Sequence, residues 1–138
     1  MRKVIPILIF LFIVSGCGLF KSTPLPSMTA KSDDTEIPTV LVSYLWGAKT
    51  QYGSPWEVMQ LKPAVAVSKG ATINLVFDSE PKEVTANEIL NEKDFKKIDV
   101  KDKKIVVPET RGDHIIFVYS TWANDRTAEY ALKIHVNE

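Results

Sequence analysis

The chain has 138 residues, of which 45% are hydrophobic and 25% are charged, and its 17 basic residues balance 17 acidic ones. This is an ordinary globular composition for about one domain, and we expect no second domain. Without Arg2 and Lys3 the chain keeps 15 basic against 17 acidic residues, scattered without a basic stripe, so nucleic acid is not an expected partner.

The first predicted element is an export signal. Arg2 and Lys3 give it a positive start, and residues 4–14 form an apolar run well short of the ~20 residues that span a bilayer. The run ends in Val14-Ser15-Gly16-Cys17, which resembles the lipobox read by the bacterial lipoprotein signal peptidase. This resemblance implies a cleaved signal peptide over residues 1–16 and a diacylglycerol group on the sulfur of Cys17.

Cys17 is the single cysteine of the chain, which agrees with lipidation better than with a disulfide, a metal site or catalysis. The alternative is an ordinary secretory peptide followed by a chance cysteine. Because two acyl chains hold a protein firmly on a bilayer, we expect a lipoprotein anchored to the extracytoplasmic face of the cell membrane.

A flexible tether is predicted after the anchor, over residues 17–36. Its composition is rich in Ser, Thr, Pro, Lys and Asp, and Pro24 and Pro26 favour extended backbone. The folded domain is therefore predicted over residues 37–138.

From Ile37 onward the apolar residues alternate with a period of two, which is typical of antiparallel strands. A short helical turn is expected over residues 87–95, and the segment Tyr52-Gly53-Ser54-Pro55-Trp56 is interpreted as a loop. Strands are expected over residues 40–46, 64–67, 70–78, 84–88, 97–100, 103–107, 112–122 and 128–136.

The last two predicted strands flank the turn-forming residues Ala123-Asn124-Asp125-Arg126 and indicate a terminal hairpin. The final strand places Tyr130, Leu132, Ile134 and Val136 on one face. About seven short strands in about a hundred residues predict an all-β fold, an immunoglobulin-like antiparallel β-sandwich. A small barrel is the alternative.

Residues 44–136 resemble a group of small, mostly uncharacterised lipoproteins of Gram-positive, Bacillus-like bacteria. The residues that carry the resemblance are Tyr44, Trp46, Val67, Gly70, Ile73, Phe77, Asp78, Pro81, Val107, Pro108, Gly112, Trp122, Tyr130 and Ala131. The resemblance implies the anchoring and the sandwich fold but no activity. His114 stands where such domains often place a tyrosine that bonds back across the sheet corner, and a ring nitrogen could make a similar bond.

The sequence offers no catalytic centre. If the hairpin keeps its parity, His114 points inward and His135 points to solvent, which argues against a metal site. Ser54 lacks the second glycine of a nucleophile elbow and has no histidine nearby in the sequence. No pair of carboxylates shows features of a general acid and base, and the sequence has no glycine-rich phosphate-binding loop. We therefore expect no enzyme activity, no metal and no cofactor.

The stretch from Tyr44 to Trp56 gathers two tyrosines and two of the three tryptophans. Aromatic loops often form binding surfaces, and Trp46, Tyr52 and Trp56 are the candidate binding residues. The alternative is that these rings plug one end of the sandwich.

Two binding hypotheses follow. The first is a non-catalytic interaction module that binds another cell-envelope protein, as immunoglobulin-like sandwiches often do. The second is a receptor for a small ligand or a glycan that uses the aromatic stretch, which requires exposed rings around a groove.

Overall fold

The computed structural model describes residues 24–137. They form twelve β-strands and one short α-helix. In chain order these are β1 (Met28–Ser32), β2 (Thr35–Ile37), β3 (Thr39–Trp46), β4 (Ala48–Gln51), α1 (Pro55–Met59), β5 (Val65–Ser68), β6 (Thr72–Phe77), β7 (Glu83–Ile89), β8 (Phe95–Ile98), β9 (Val100–Lys101), β10 (Lys104–Val106), β11 (Gly112–Thr121) and β12 (Thr127–Asn137).

Two sheets pack against each other. The smaller sheet has the strand order β2-β1-β6-β10-β9, and the larger has the order β4-β3-β12-β11-β7-β8, with β5 added beside β12. All pairings are antiparallel except that of β5, which runs parallel to β12. The predicted all-β sandwich is therefore confirmed.

The hairpin of β11 and β12 forms the centre of the larger sheet. Its register runs from Gly112 opposite Val136 to Thr121 opposite Thr127. At its tip Asn124 and Asp125 have φ angles of 61° and 56°, a backbone that Asn and Asp adopt more readily than most residues. The predicted terminal hairpin and its turn are confirmed.

The main core fills the space between the sheets. Alternate residues of each strand point inward, as the period of two requires. The fully buried large side chains of this core are Ile37, Ile73, Ile105, Val107, Ile116, Val118, Leu132, Ile134 and Val136.

A second apolar cluster lies on the outer face of the larger sheet. Ile115 and Ala131, which alternate with the core residues of their strands, pack there with Val42 and Met59. Met59 belongs to α1, which covers this face. The cluster explains why residues 112–122 are apolar on both faces.

The predicted tether is wrong for its second half. Residues 28–37 form the β1–β2 hairpin, and β1 pairs along its whole length with β6. Met28, Ala30 and Ser32 are buried while Thr29 and Lys31 are exposed. The alternation is that of a strand, but a small and a polar residue occupy two of its three buried positions, so it carries almost no hydrophobic signal.

The predicted helical turn over residues 87–95 is also wrong. Residues 87–89 continue β7, a turn follows, and β8 begins at Phe95. The strand predicted over residues 97–100 is divided, because β8 belongs to the larger sheet and β9 to the smaller one. Short strands of this kind bring the count to twelve among the described residues, above the seven or so expected.

Candidate functional site

A cleft opens at one end of the sandwich, between α1, the β7–β8 turn and the loop that leads into β11. We call it the Trp56 cleft. Its volume is about 440 Å³, within the range of small-molecule sites. Residues of all three elements line it, among them Trp56, Gln60, Glu88, Leu90, Arg111 and His114.

Helix α1 brings Trp56 to this cleft. The hydroxyl of Ser54 accepts a hydrogen bond from the backbone N–H of Glu57 (3.2 Å), and the Glu57 carboxylate accepts one from the N–H of Ser54 (3.0 Å). This reciprocal capping box, with Pro55 at the first helical position, starts a helix because it satisfies N–H groups that the helix leaves without partners. The loop predicted over residues 52–56 is therefore wrong from Pro55 onward.

The end of the helix is tied to the sheet. The Lys133 ammonium, on β12, donates hydrogen bonds to the backbone carbonyls of Gln60 (2.8 Å) and Lys62 (3.0 Å). Trp56 is half-buried against the second apolar cluster. With a cap at one end and a lysine at the other, the helix holds the indole in a fixed position.

His114 and Glu88 form a largely buried pair in the cleft wall. The Nδ1 atom of His114 contacts the Glu88 carboxylate, and the two side chains are 8% and 14% exposed. The Nε2 atom lies 2.6 Å from the backbone carbonyl oxygen of Thr110. Because a carbonyl only accepts, Nε2 carries the proton of this bond. A ring nitrogen of His114 thus bonds to the backbone of Thr110, a bond that the sequence allowed without specifying its partner.

The two histidines lie on opposite faces of the larger sheet, as predicted. His114 faces inward, whereas His135 is half-exposed and its Nδ1 lies 2.6 Å from Asp113 Oδ1. The part of the chain that the structure describes holds no group of three or more histidine, cysteine, aspartate or glutamate side chains placed to bind a metal ion.

A second, shallower depression adjoins the cleft. It has a volume of about 330 Å³ and is lined by Trp56 together with Asn91, Glu92 and Lys93 of the β7–β8 turn. Trp56 thus lies between the two depressions and lines both.

The structure does not bring the three predicted binding residues together. Trp46 packs beside the main core, where its ring meets Trp122 edge-on at 5.4 Å and the Arg126 guanidinium lies 5.1 Å from its centroid. Trp56 packs on the other face of the same sheet. Of the three, only Trp56 lines the cleft.

Tyr52 is 61% exposed and lies outside the lining of the cleft. Its ring centroid is 6.3 Å from that of Tyr44. A side-chain hydrogen bond with Tyr44 is the main cause that raises the pKa of Tyr52, followed by charge repulsion from Tyr44. The three aromatic residues therefore lie at separate places: Tyr52 is exposed, Trp46 packs beside the main core, and Trp56 lines the cleft.

Several cleft residues were missed from the sequence, namely Gln60, Glu88, Arg111 and Lys133. They are far apart in the chain and converge only through the sheet register and the packing of α1 on the larger sheet. The helix was the one part with a local signal, because Ser54 followed by Pro55 and by Glu57 is the sequence pattern of a capping box.

The predicted lipidation site, Cys17, and the predicted signal peptide lie outside the described residues. Between residues 24 and 137, no helix has the length and hydrophobicity needed to cross a bilayer. Comparison of the chain with protein-family models, with curated proteins and with solved structures finds no match.

Proposed function

We propose that this protein is a lipid-anchored, extracytoplasmic binding module that acts without catalysis and binds its partner in the Trp56 cleft. The observation that carries the proposal is the position of the cleft relative to the start of the domain. The two lie at opposite ends of the sandwich.

The chain enters the sandwich beside the tip of the β11–β12 hairpin. The Asp78 carboxylate accepts hydrogen bonds from the backbone N–H (2.9 Å) and the hydroxyl (3.2 Å) of Ser27. Trp122 is the residue directly after β11. Its indole N–H donates a hydrogen bond to the backbone carbonyl of Ser79, the residue after Asp78. The cleft lies at the other end of β11, beside Gly112, about 30 Å away for a strand of this length.

A lipid on Cys17 would hold the domain close to the membrane. Only six residues separate Cys17 from Pro24, and a chain of this length reaches at most about 25 Å. The entry end of the sandwich then lies within about 25 Å of the headgroups, and the Trp56 cleft lies at the opposite end of the domain. This is where a partner from the cell envelope can reach it.

Two classes of partner fit such a module. Another cell-envelope protein is the partner favoured by the sequence, because β-sandwich domains often bind through loops and edges. A small ligand or a glycan is the second, and the cleft favours it because it has the volume of a ligand site and polar groups around an aromatic ring.

The two side chains near the cleft that could serve as a base and a nucleophile, His114 and Ser54, are engaged in structural bonds, which supports a role without catalysis. Both ring nitrogens of His114 have partners, Glu88 and the Thr110 carbonyl. The Ser54 hydroxyl accepts the helix-capping bond from Glu57. A general base paired with a nucleophile needs a different arrangement, in which the two side chains bond to each other.

The anchor is tested by metabolic labelling of the full chain with an alkyne fatty acid in a Gram-positive host. We expect the wild-type protein to carry the label and Cys17→Ala to lack it, and protease added to intact protoplasts should digest the domain. Equal labelling of both proteins, or protection from the protease, would show that the anchoring proposal is wrong.

The binding site is tested by in-cell photo-crosslinking from single positions. A photoreactive residue at Leu90, which is 50% exposed at the cleft, should give a specific adduct with an envelope component. The matched control is Val76 on β6 of the smaller sheet, 57% exposed. Adducts of equal yield from both positions, or from neither, would contradict a binding site in the cleft.

A further inference from the structure

We infer that the Trp56 cleft and its adjoining depression form one groove that binds a saccharide chain, with a sugar ring packed on the indole of Trp56. This inference rests on the proposed function, because it names the class of ligand for the same site.

The groove consists of two depressions that meet at one residue. The two depressions, of about 440 Å³ and 330 Å³, have Trp56 in common. A ligand that fills both depressions contacts Trp56 in each of them. This shape suits a chain of several linked rings better than a single compact molecule.

The lining has one aromatic ring among many polar side chains. Amide, carboxylate and cationic groups surround Trp56, namely Gln60, Asn91, Glu92, Lys93, Arg111 and Asp113. The axial C–H groups of a sugar ring pack on the electron-rich face of an indole. Its hydroxyls, which both donate and accept, bond to the polar groups at its edge.

A peptide is a less suitable occupant. Among the aliphatic residues that line the cleft only Leu90 is exposed, at 50%, while Ile115 is 4% exposed and Ile89 is half-buried, so little apolar surface is open to peptide side chains. Addition of a peptide strand at the nearby sheet edge meets β8, whose Lys96 and Lys97 are of the type that protects edges from pairing.

Hydrogen bonds hold the elements on both sides of the groove. In the β7–β8 turn, Asn91 Oδ1 accepts hydrogen bonds from the backbone N–H of Lys93 (2.8 Å) and Asp94 (2.9 Å), and its amide donates to the Asp94 carboxylate (2.9 Å). Across the groove, α1 is fixed by the capping box and by Lys133. Walls that are already ordered lower the entropy cost of binding a flexible oligosaccharide.

The test is direct binding of saccharides by the folded protein. The mature domain is screened on an array of oligosaccharides and of muramidase-released fragments of Gram-positive cell wall. The strongest binder is then titrated by calorimetry. We expect a defined oligosaccharide to bind more tightly than its monosaccharide, because a longer chain fills both depressions.

The variants separate the groove from the other aromatic residues. Trp56→Leu keeps an apolar side chain against the second cluster and should weaken binding by about three- to tenfold, the range that an aromatic contact contributes. Trp56→Phe should lose less binding affinity than Trp56→Leu. Tyr52→Ala is the matched control, since this exposed ring lies outside the groove, and its affinity should equal that of the wild type.

Each result decides between the saccharide and the other partners. A saccharide that binds the wild type and Tyr52→Ala but loses affinity for Trp56→Leu supports the inference. Equal affinity for the wild type, Tyr52→Ala and Trp56→Leu, or no binder on the array, overturns it. If no saccharide binds but Leu90 crosslinks to an envelope protein, the saccharide inference is wrong, while the proposed function as a binding module is supported. If both experiments fail, the proposed function fails as well.

Discussion

The phenol of Tyr130 ties the start of the domain to the centre of the larger sheet. Its hydroxyl donates a hydrogen bond to the carbonyl oxygen of Pro26 (2.5 Å), and its ring meets Phe77 edge-on at 6.2 Å. Burial is the main cause that raises the pKa of Tyr130 from 10 to about 12, and the negative charge of Asp78 adds to it. The folded state therefore retains this proton more strongly than the unfolded state does.

This pKa difference predicts a loss of stability at alkaline pH. The contribution of the protonated phenol is fully present below pH 10 and is lost as the pH rises to about 12. It amounts to about 2 to 3 kcal/mol of unfolding free energy. Urea unfolding across this range, on the wild type and on Tyr130→Phe, measures it as a difference between the two proteins.

Tyr130→Phe should be the less stable protein below pH 10, because the Pro26 carbonyl loses its partner, but its stability should fall less steeply above pH 10. Other groups that titrate in this range act on both proteins and cancel in the difference. Parallel curves for the two proteins would contradict the assignment of the alkaline loss to Tyr130.

Helix α1 shows how local and tertiary forces combine in one element. Five residues are too few for a helix to be stable alone, so its capping box and its contacts with the larger sheet are both needed. Gly53, directly before the cap, has a φ of 145°, and a Cβ there would approach the Cγ2 of Val58 to 3.2 Å. The approach to the helix therefore requires glycine.

We predict that Ser54→Ala lowers the free energy of unfolding by about 1 kcal/mol, because the Glu57 N–H loses its acceptor. It should also speed hydrogen exchange at the Gln60 amide, which donates to the Trp56 carbonyl (2.9 Å). Urea unfolding and exchange measured by NMR check both effects.

The matched control is Ser68→Ala, at the exposed end of β5. Its stability should stay within about 0.5 kcal/mol of the wild type. If Ser54→Ala behaves as this control does, the cap does not hold the helix and the fixed position of Trp56 needs another cause.

The whole molecule depends on its first hairpin. Met28, Ala30 and Ile37 are at most 3% exposed in the main core, and β1 pairs with all but one residue of β6. Residues that the composition assigns to a tether thus complete the smaller sheet. Their removal would expose both apolar surface and an unpaired strand edge.

We therefore predict that a chain starting at Pro38, near the sequence-based domain boundary, is destabilised on the order of 5 kcal/mol, comparable to the stability of a small domain. A chain starting at Pro24 keeps the hairpin and should unfold as the mature protein does. Thermal unfolding by circular dichroism and size-exclusion chromatography compare the two. Equal midpoints would mean that the hairpin is dispensable.

The sequence by itself determined the sandwich, the terminal hairpin and the opposite orientations of His114 and His135, because the period of two decides which side of a strand is buried. It could not determine the strand over residues 28–32, whose buried positions include Ala30 and Ser32. Nor could it determine that Trp46 packs beside the core, Tyr52 lies on the surface and Trp56 lines a cleft. The Trp56 cleft is formed only by the tertiary structure. Glu88, His114 and Lys133 lie on three different strands, and Trp56 lies on a helix that is too short to form without the sheet beneath it. Their convergence depends on register and packing between distant segments, which no local pattern encodes.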